Sequence, residues 1–451
     1  MKAIPVIAVF DVGKTNKKLF LFDENYNIVF ERSARFIETE DEDGDACENL
    51  ESLRLSVFDS LREVFKNPQF EIKAINFATY GASFVYIDKE GKPLAPLYNY
   101  LKEFPVALKQ QFYAAYGGEE VVSKETASPV LGSLNSGMQL YRLKYEKPAL
   151  FAQVQYALHL PQYLSYLISG IPYSDITSIG CHTQLWDFEK NNYHQWVKDE
   201  SIIEKLAPIT NSDVVMPAAF PGNNYAVGAG LHDSSAALIP YQVSFNEPFI
   251  LLSTGTWSIS LNPFNAAPLT VEELNQDCLC YLEYKGRPVK ASRLFSGYEH
   301  EQQVKRIASH FDTDAFDYRN MDYDPAMVSA IRAKAKKMPF SERNLEGYPN
   351  DRAAYHQLIM DLADQQLSAT NLVLKGTGVK RIFVDGGFSK NTIFMNLLAA
   401  AFPDLEVFAA HMAQATALGA ALAIHDAWNT KVLPNDLIGL KYYSSLQPLQ
   451  G

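Results

Sequence analysis

Three short glycine-bearing stretches hold the residue types that phosphate chemistry needs: "DVGKTNKK" at 11–18, "STGTWS" at 253–258 and "VDGGFS" at 384–389. A phosphate oxygen reaches the amides of a tight turn only where no Cβ stands in the way, the role open to Gly13, Gly255, Gly386 and Gly387. Lys14, Thr15, Asn16 and Lys17 add donors to the first stretch, Thr254 and Thr256 to the second, and Ser389 and Asn391 to the third. Each signal alone is weak, but the three in this order make a consistent set for nucleotide contact. The alternative is plain turns, with Lys14 and Lys17 as solvated charges.

Two carboxylates stand out beside these turns. Asp11 ends a buried apolar run, where an ionised group is costly unless a cation or donors meet it. Next to Gly13 and Lys14 that cation would be the Mg2+ that travels with ATP; a turn-capping carboxylate is the other reading. Phosphoryl transfer to a hydroxyl also needs a base on the acceptor side. Asp233 in "GAGLHDSSAALIP" follows small residues and opens a helix, whose amides and dipole would keep it ionised. An ordinary N-cap Asp is its alternative. His232 beside it would tune the base or touch the acceptor.

The elements around these residues decide how they are used. "AVFDVGKT" at 8–15 fits the loose P-loop pattern A/G-x-x-x-x-G-K-S/T, yet a P-loop lysine works only where a helix follows at once. Here "KLFLFD" alternates like a strand, so a hairpin is predicted and the match is accidental. After "DENYN" come a strand "IVFERSAR", a helical period in "LESLRLSVFDSLREVF" and a strand "IKAINFATYG" whose end puts Gly81 and Ala82 among the candidate substrate contacts. "ALFAQVQYALHLPQYLSYLISG" reads as mostly helical, and the pattern breaks at "IPYQVSFNEP", a boundary or hinge dividing 1–242 from 243–451.

The second part repeats the first part's grammar. "PFILLSTGTWSISLNPF" is again strand, glycine turn and strand, followed by strands in "CLCYLEYKGRPVKA", a helix at about 353–375, the strand "RIFVDGG", a helix from Asn391, the strand "LEVFA" and the helix "ATALGAALAIHDAW". Recurrence at a spacing of roughly 240 residues suggests duplication; two unrelated hairpins in one large α/β protein is the alternative. Gly419 in the last helix reads as a close-packing residue rather than a chemical one.

A 451-residue chain with 47% apolar and 20% charged residues is an ordinary globular composition, long enough for two or three domains. A net charge of −12 offers no basic stripe for a phosphate backbone, which excludes nucleic acid as a partner. Four scattered cysteines, and no apolar run of membrane-spanning length, point to a reducing cytoplasm and no membrane. The acidic run "ETEDEDGDAC" has Ala46 where a calcium loop needs Gly and Ser52 where it needs Glu, so it reads as a solvated loop. His159, His182, His232 and His300 show no ligand spacing, and Cys278 and Cys280 read as alternate residues of one strand.

On these motifs the whole chain, roughly 6–428, resembles the FGGY carbohydrate kinases. "DVGKTNKKLFLFD" looks like their first phosphate hairpin, "LPQYLSYLISG" like their P-x-Y-L-x-x-x-L-S/T-G helix, "STGTW" like the second phosphate loop, and "DGGFSKN" with "ATALGAALA" like the C-terminal signature. The resemblance implies an α/β fold of two ribonuclease H-like, actin-like ATPase domains with ATP and Mg2+ in the cleft, Asp233 as catalytic base and Asp11 on the Mg2+ side. It places sugar binding and the first phosphate hairpin in 1–242 and ATP binding in 243–451. "STGTWS" with "LHDSSAA" is similar to the rhamnulose and fuculose kinase branch, which implies a 2-ketose phosphorylated at its C1 hydroxyl.

Departures from the family pattern fall on the sugar rim. In place of a W-x-D-x-R segment, "GKPLAPLYNYLKEF" offers Asn99, Tyr100 and Lys102; Lys14 stands where Thr is commoner and Gln414 where Glu is. A rim without the usual charged pair still hydrogen-bonds a polyol, with Tyr100 stacking on its apolar face. Other sugars of the same family (xylulose, ribulose or another polyol) and a non-catalytic actin-like ATPase that binds a protein partner are the alternatives. The oligomeric state stays open, a homodimer included.

Overall fold

A computed structural model of the chain describes residues 2–14, 16–35, 37–219, 224–333, 338–412, 414–434 and 436–444. Thr15 of the first turn lies outside the described residues.

Two seven-stranded sheets repeat one plan. In the first, the apolar strand Ile4–Val12 turns back through Lys17–Asp23 and Ile28–Ala34, while its other edge pairs in parallel with Phe70–Thr79, and Ala226–Gly228 follows in parallel. In the second, Phe249–Thr254 turns back through Ser258–Asn262 to Pro288–Leu294, and Arg381–Gly386 and Glu406–His411 follow in parallel. The same order and the same directions in both halves support duplication over two unrelated hairpins. Strand rather than helix after the first glycine turn is also what removes the P-loop reading.

Register fixes which residues meet at the strand ends. Asp11 lies opposite Lys18 on one side and Ala78 on the other, and Ser253 lies opposite Asp385. Strands buried on both faces, such as Ile4–Val12, read as continuous apolar runs because helices cover the sheet. The long helix Asp351–Leu374, capped by Asn350, covers the second sheet.

The two halves are joined where the helices Asp233–Ser244 and Ala415–Ala423 cross. A Cβ at Gly419 would stand 1.8 Å from the Ala236 carbonyl oxygen, so only glycine permits this approach. Pro240 has no N–H to donate to that carbonyl four residues back, which leaves it open at the crossing. Asn76 of the first sheet donates to the Ala420 carbonyl at 2.8 Å. Gly419 is therefore a packing residue.

Two local expectations are corrected, and one proposed boundary falls inside a helix. Tyr156–His159, read as helix, is a strand paired with Phe84–Ile87, because its residues alternate into a small sheet beside the main one. The helix from Asp233 runs through Pro240 to Ser244, so the break in pattern at Ile239 is no break in structure, and position 242 falls within this helix. The acidic run is not a merely solvated loop: Asp41, Asp43 and Asp45 enclose the Lys102 ammonium at 2.5, 2.7 and 3.0 Å, with Asp41 and Lys102 buried. Burial opposes the Asp41 charge, but Lys102 and the loop amides hold its carboxyl below the ordinary range.

Candidate active site

Asp233 is the first residue of its helix, and its Oδ1 accepts the Ser234 N–H at 2.6 Å. His232 Nε2 lies 3.2 Å from the same oxygen. Leu231–His232 pairs in parallel with Ala78–Thr79, which brings Asp233 to the end of the sheet where Asp11 also ends its strand. The Asp11 carboxyl is raised from 3.8 to about 7, first by burial and then by the Asp233 carboxylate, against the opposing pull of Lys18. A buried carboxyl facing a second carboxylate is a hard oxygen donor set of the kind a Mg2+ ion takes. The residues thus fit that ion.

Tyr100 belongs to the same group: burial raises its phenol, and Asp233, Glu48 and Glu38 raise it further. Its ring stands 5.9 Å from that of Tyr80, and Lys14 Nζ lies 5.9 Å from each ring centroid. Lys14 also pairs with Glu38 at 3.0 Å. Lys17 is buried, with its ammonium on Glu48 at 3.0 Å and on the Lys14 carbonyl at 2.9 Å. Gly13 donates to the Asn16 carbonyl at 2.9 Å to close the turn, and Asn16 accepts from Arg35.

The Gly81–Ala82 turn reaches this group as well. A Cβ at Gly81 would lie 2.9 Å from the His232 ring and 3.2 Å from Cys181 Sγ. Ala82 has φ of +63°, a strained left-handed conformation pinned by Gln139, which donates to its carbonyl at 2.6 Å. His182 and Gln184 also have positive φ, so strain gathers around one pocket. Asn99 does not join it through its side chain, which holds the Ala46 carbonyl and the Leu101 N–H.

The second glycine turn is tied to the diglycine turn. Thr254 Oγ1 donates to the Asp385 carbonyl and accepts the Phe388 N–H at 3.0 Å, while its own carbonyl accepts the Gly387 N–H at 2.9 Å. Gly386 has φ of +85°, and a Cβ there would meet the Thr254 carbonyl oxygen at 1.8 Å. Gly255, Thr256 and Gly387 are exposed, and nothing lies within 4 Å of a Cβ built at Gly387. Ser389 ties back to the Gly386 carbonyl, and Asn391 caps its helix by accepting the Phe394 N–H while donating to the Tyr355 hydroxyl at 2.8 Å.

Residues the motifs did not single out complete this side. A Cβ at Gly297 would lie 1.8 Å from the Gly255 carbonyl oxygen, and Tyr298 donates to the Thr256 carbonyl at 3.1 Å. His300 Nε2 is 3.2 Å from the Tyr355 hydroxyl that Asn391 also uses. With Gly255 and Thr256 they line a cavity of about 570 Å³. "SGYEH" after a strand was the available signal, a small residue opening a helix next to a glycine turn.

The site thus joins two sheets of one plan, each turning at a glycine after its first strand, and two carboxyl groups, Asp11 and Asp233, at one end of the first sheet. The N-terminal domain of the FGGY family of carbohydrate kinases matches residues 6–231, and the carbohydrate kinase FGGY C-terminal domain matches 246–432. The chain belongs to the FGGY family of carbohydrate kinases.

A rhamnulokinase of Mannheimia succiniciproducens is 26% identical over 271 residues, 56% of this chain and 52% of that protein. The chain spans about half the length of the curated relatives it matches. A carbohydrate kinase from Novosphingobium aromaticivorans superposes with a TM-score of 0.81 at 25% identity, covering 98% of this chain and 95% of that one. A xylulose kinase from Lactobacillus acidophilus gives 0.80 at 17% identity, covering 97% and 93%. The fold is that of two actin-like ATPase domains. Among the described residues no helix is long and apolar enough to cross a membrane.

Proposed function

We propose that the protein is an ATP-dependent sugar kinase and that its acceptor is the C1 hydroxyl of a 2-ketose such as L-rhamnulose or L-fuculose. The observation that carries this reading is the pair Asp11 and Asp233 at one sheet end, beside the Gly13 turn. Asp233 takes the acceptor proton, its Oδ1 held by the Ser234 amide at the start of its helix. Asp11 would hold Mg2+, and that ion when bound would supply charge neutralisation on the transferring phosphates. Residues 1–242 bind the sugar against Asp233, Tyr100, His232 and Gly81–Ala82; residues 243–451 bind ATP, with adenosine in the cavity of Gly297 and His300. Gly13 and Gly255 present amides to the phosphates from opposite halves.

The test is ADP release with Mg2+-ATP across L-rhamnulose, L-fuculose, D- and L-xylulose, L-ribulose, glycerol and gluconate. Strong stimulation by one or two ketoses is expected. A panel that leaves ADP release at its basal level would overturn the ketose assignment.

A further inference from the structure

A buried cluster beside Asp233 has no part in the phosphate chemistry. Cys181 Sγ lies 3.1 Å from His232 Nε2, and ligand atoms of Cys181, His182 and His232 all lie within 4.8 Å of one another. All three side chains are buried. Sequence spacing hides the group, because His232 arrives from a different strand and the missing Cβ of Gly81 lets it pack against Cys181.

A further feature suits a metal. His182 Nδ1 is 3.1 Å from the Leu134 carbonyl oxygen, so Nδ1 carries the proton and Nε2 the lone pair, with a backbone carbonyl behind the ring as ligating imidazoles have. Burial holds both rings neutral, His182 down to about 3.

A tetrahedral ion with bonds of about 2.3 Å to sulfur and about 2.0 Å to nitrogen sets those two atoms about 3.5 Å apart, so the 3.1 Å between Cys181 Sγ and His232 Nε2 opens slightly to take it. Asp233 Oδ1, 3.2 Å from His232 Nε2, stands where a fourth ligand would. The nearby cation Arg293 is committed to Asp277 through two hydrogen bonds of 2.7 and 3.1 Å.

We propose that Cys181, His182 and His232 form a site for one borderline-soft divalent cation of the zinc class, closed by Asp233, and that filling it removes Asp233 from the acceptor. The consequence for turnover rests on the reading of Asp233 as base; the site itself does not. Binding forms a sulfur–metal bond and releases the Cys181 thiol proton to solvent, with no change of oxidation state. Mg2+, a hard ion, does not compete for a thiolate.

The experiment titrates the full chain with Co2+, without nucleotide, and follows the thiolate-to-cobalt charge-transfer absorbance. One Co2+ per chain is expected, displaced by Zn2+, with the band lost in Cys181→Ser although Cys47, Cys278 and Cys280 remain. No band in the native chain, or a band that survives in Cys181→Ser, overturns the site. If Cys181→Ser does not fold, His182→Gln should weaken Co2+ binding tenfold or more, and unchanged binding overturns the site equally. Zn2+ should also inhibit turnover in step with the band; a band without inhibition keeps the three-residue site and overturns its closure by Asp233, whose role as base is tested separately by Asp233→Asn.

Discussion

At the end of the strand Ile4–Val12 stands Asp11, a carboxyl raised to about 7 among the charges Asp233 and Lys18; at the end of Phe249–Thr254 stands Thr254, whose hydroxyl and carbonyl are all occupied by the turn at 385–388. The two hairpins share topology and differ in what their polar groups do. In the first half charge is kept at the strand end, where the proposed function needs it for an ion and a reacting hydroxyl. In the second, the Thr254 hydroxyl and carbonyl bond to the 385–388 backbone and hold a frame from which exposed backbone at Gly255 and Gly387 projects, with the Asp385 carboxyl raised by burial beside it. The same frame occurs twice, with different polar groups at the end of its first strand.

The largest expected effect breaks the charged half. Asp233→Asn should lower turnover about a hundredfold or more, the usual loss when a general base is removed, with little change in the KM for ATP. Steady-state kinetics that keep substantial activity would take Asp233 out of the role.

The frame of the second half should fail differently. Gly386→Ala places a Cβ against the Thr254 carbonyl at a positive φ, and denaturant unfolding should show a loss of about 2 kcal/mol or more. Gly255→Ala meets nothing closer than 3.9 Å, so stability should change by less than about 1 kcal/mol while the KM for ATP rises severalfold. Equal destabilisation by both would mean that the exposed turn is part of the frame after all.

Much of this was legible in the sequence, for physical reasons. Glycine turns after buried strands announce themselves locally, so both hairpins, Asp11 and the diglycine turn could be read from short stretches. Close helix packing at Gly419 was legible too, since small residues in an apolar helix have few other uses. What stayed hidden depends on distant segments meeting. Lys102 fills the acidic loop from some sixty residues away, Gly297 fits under Gly255 from another element, and Cys181 meets His232 only because Gly81 is bare. Tyr156–His159 misled because a four-residue strand inside a helical composition has no period long enough to detect.

A smaller, pH-dependent effect sharpens the assignment of Asp11. Its proton is held up to about pH 7 in the folded chain and only to about 3.8 when unfolded, so this group favours the fold at low pH and that contribution is lost as pH rises from about 4 to about 7. Mg2+ must displace the same proton. Calorimetry of Mg2+ with ADP in buffers of different ionisation enthalpy should therefore show more proton release at pH 6 than at pH 8, and Asp11→Asn should remove its share and leave only the release from the ADP terminal phosphate. Identical release in Asp11→Asn would move the ion to other ligands.

The smallest effect concerns Lys14, which decides how far the charged character of the first turn extends. Its ammonium leans on Tyr80 and Tyr100 and pairs with the half-exposed Glu38, a contact worth under about 1 kcal/mol, so Lys14→Met should leave stability nearly unchanged. If Lys14 belongs to the wall that carries Tyr100, the KM for the sugar should rise by about threefold and that for ATP by less. The opposite split, with the ATP KM rising about tenfold, would show the ammonium swinging off the aromatic pair onto the phosphates. The first turn would then act as a cationic cradle, and the contrast with the neutral turn at Gly255 would be wider than the resting geometry shows.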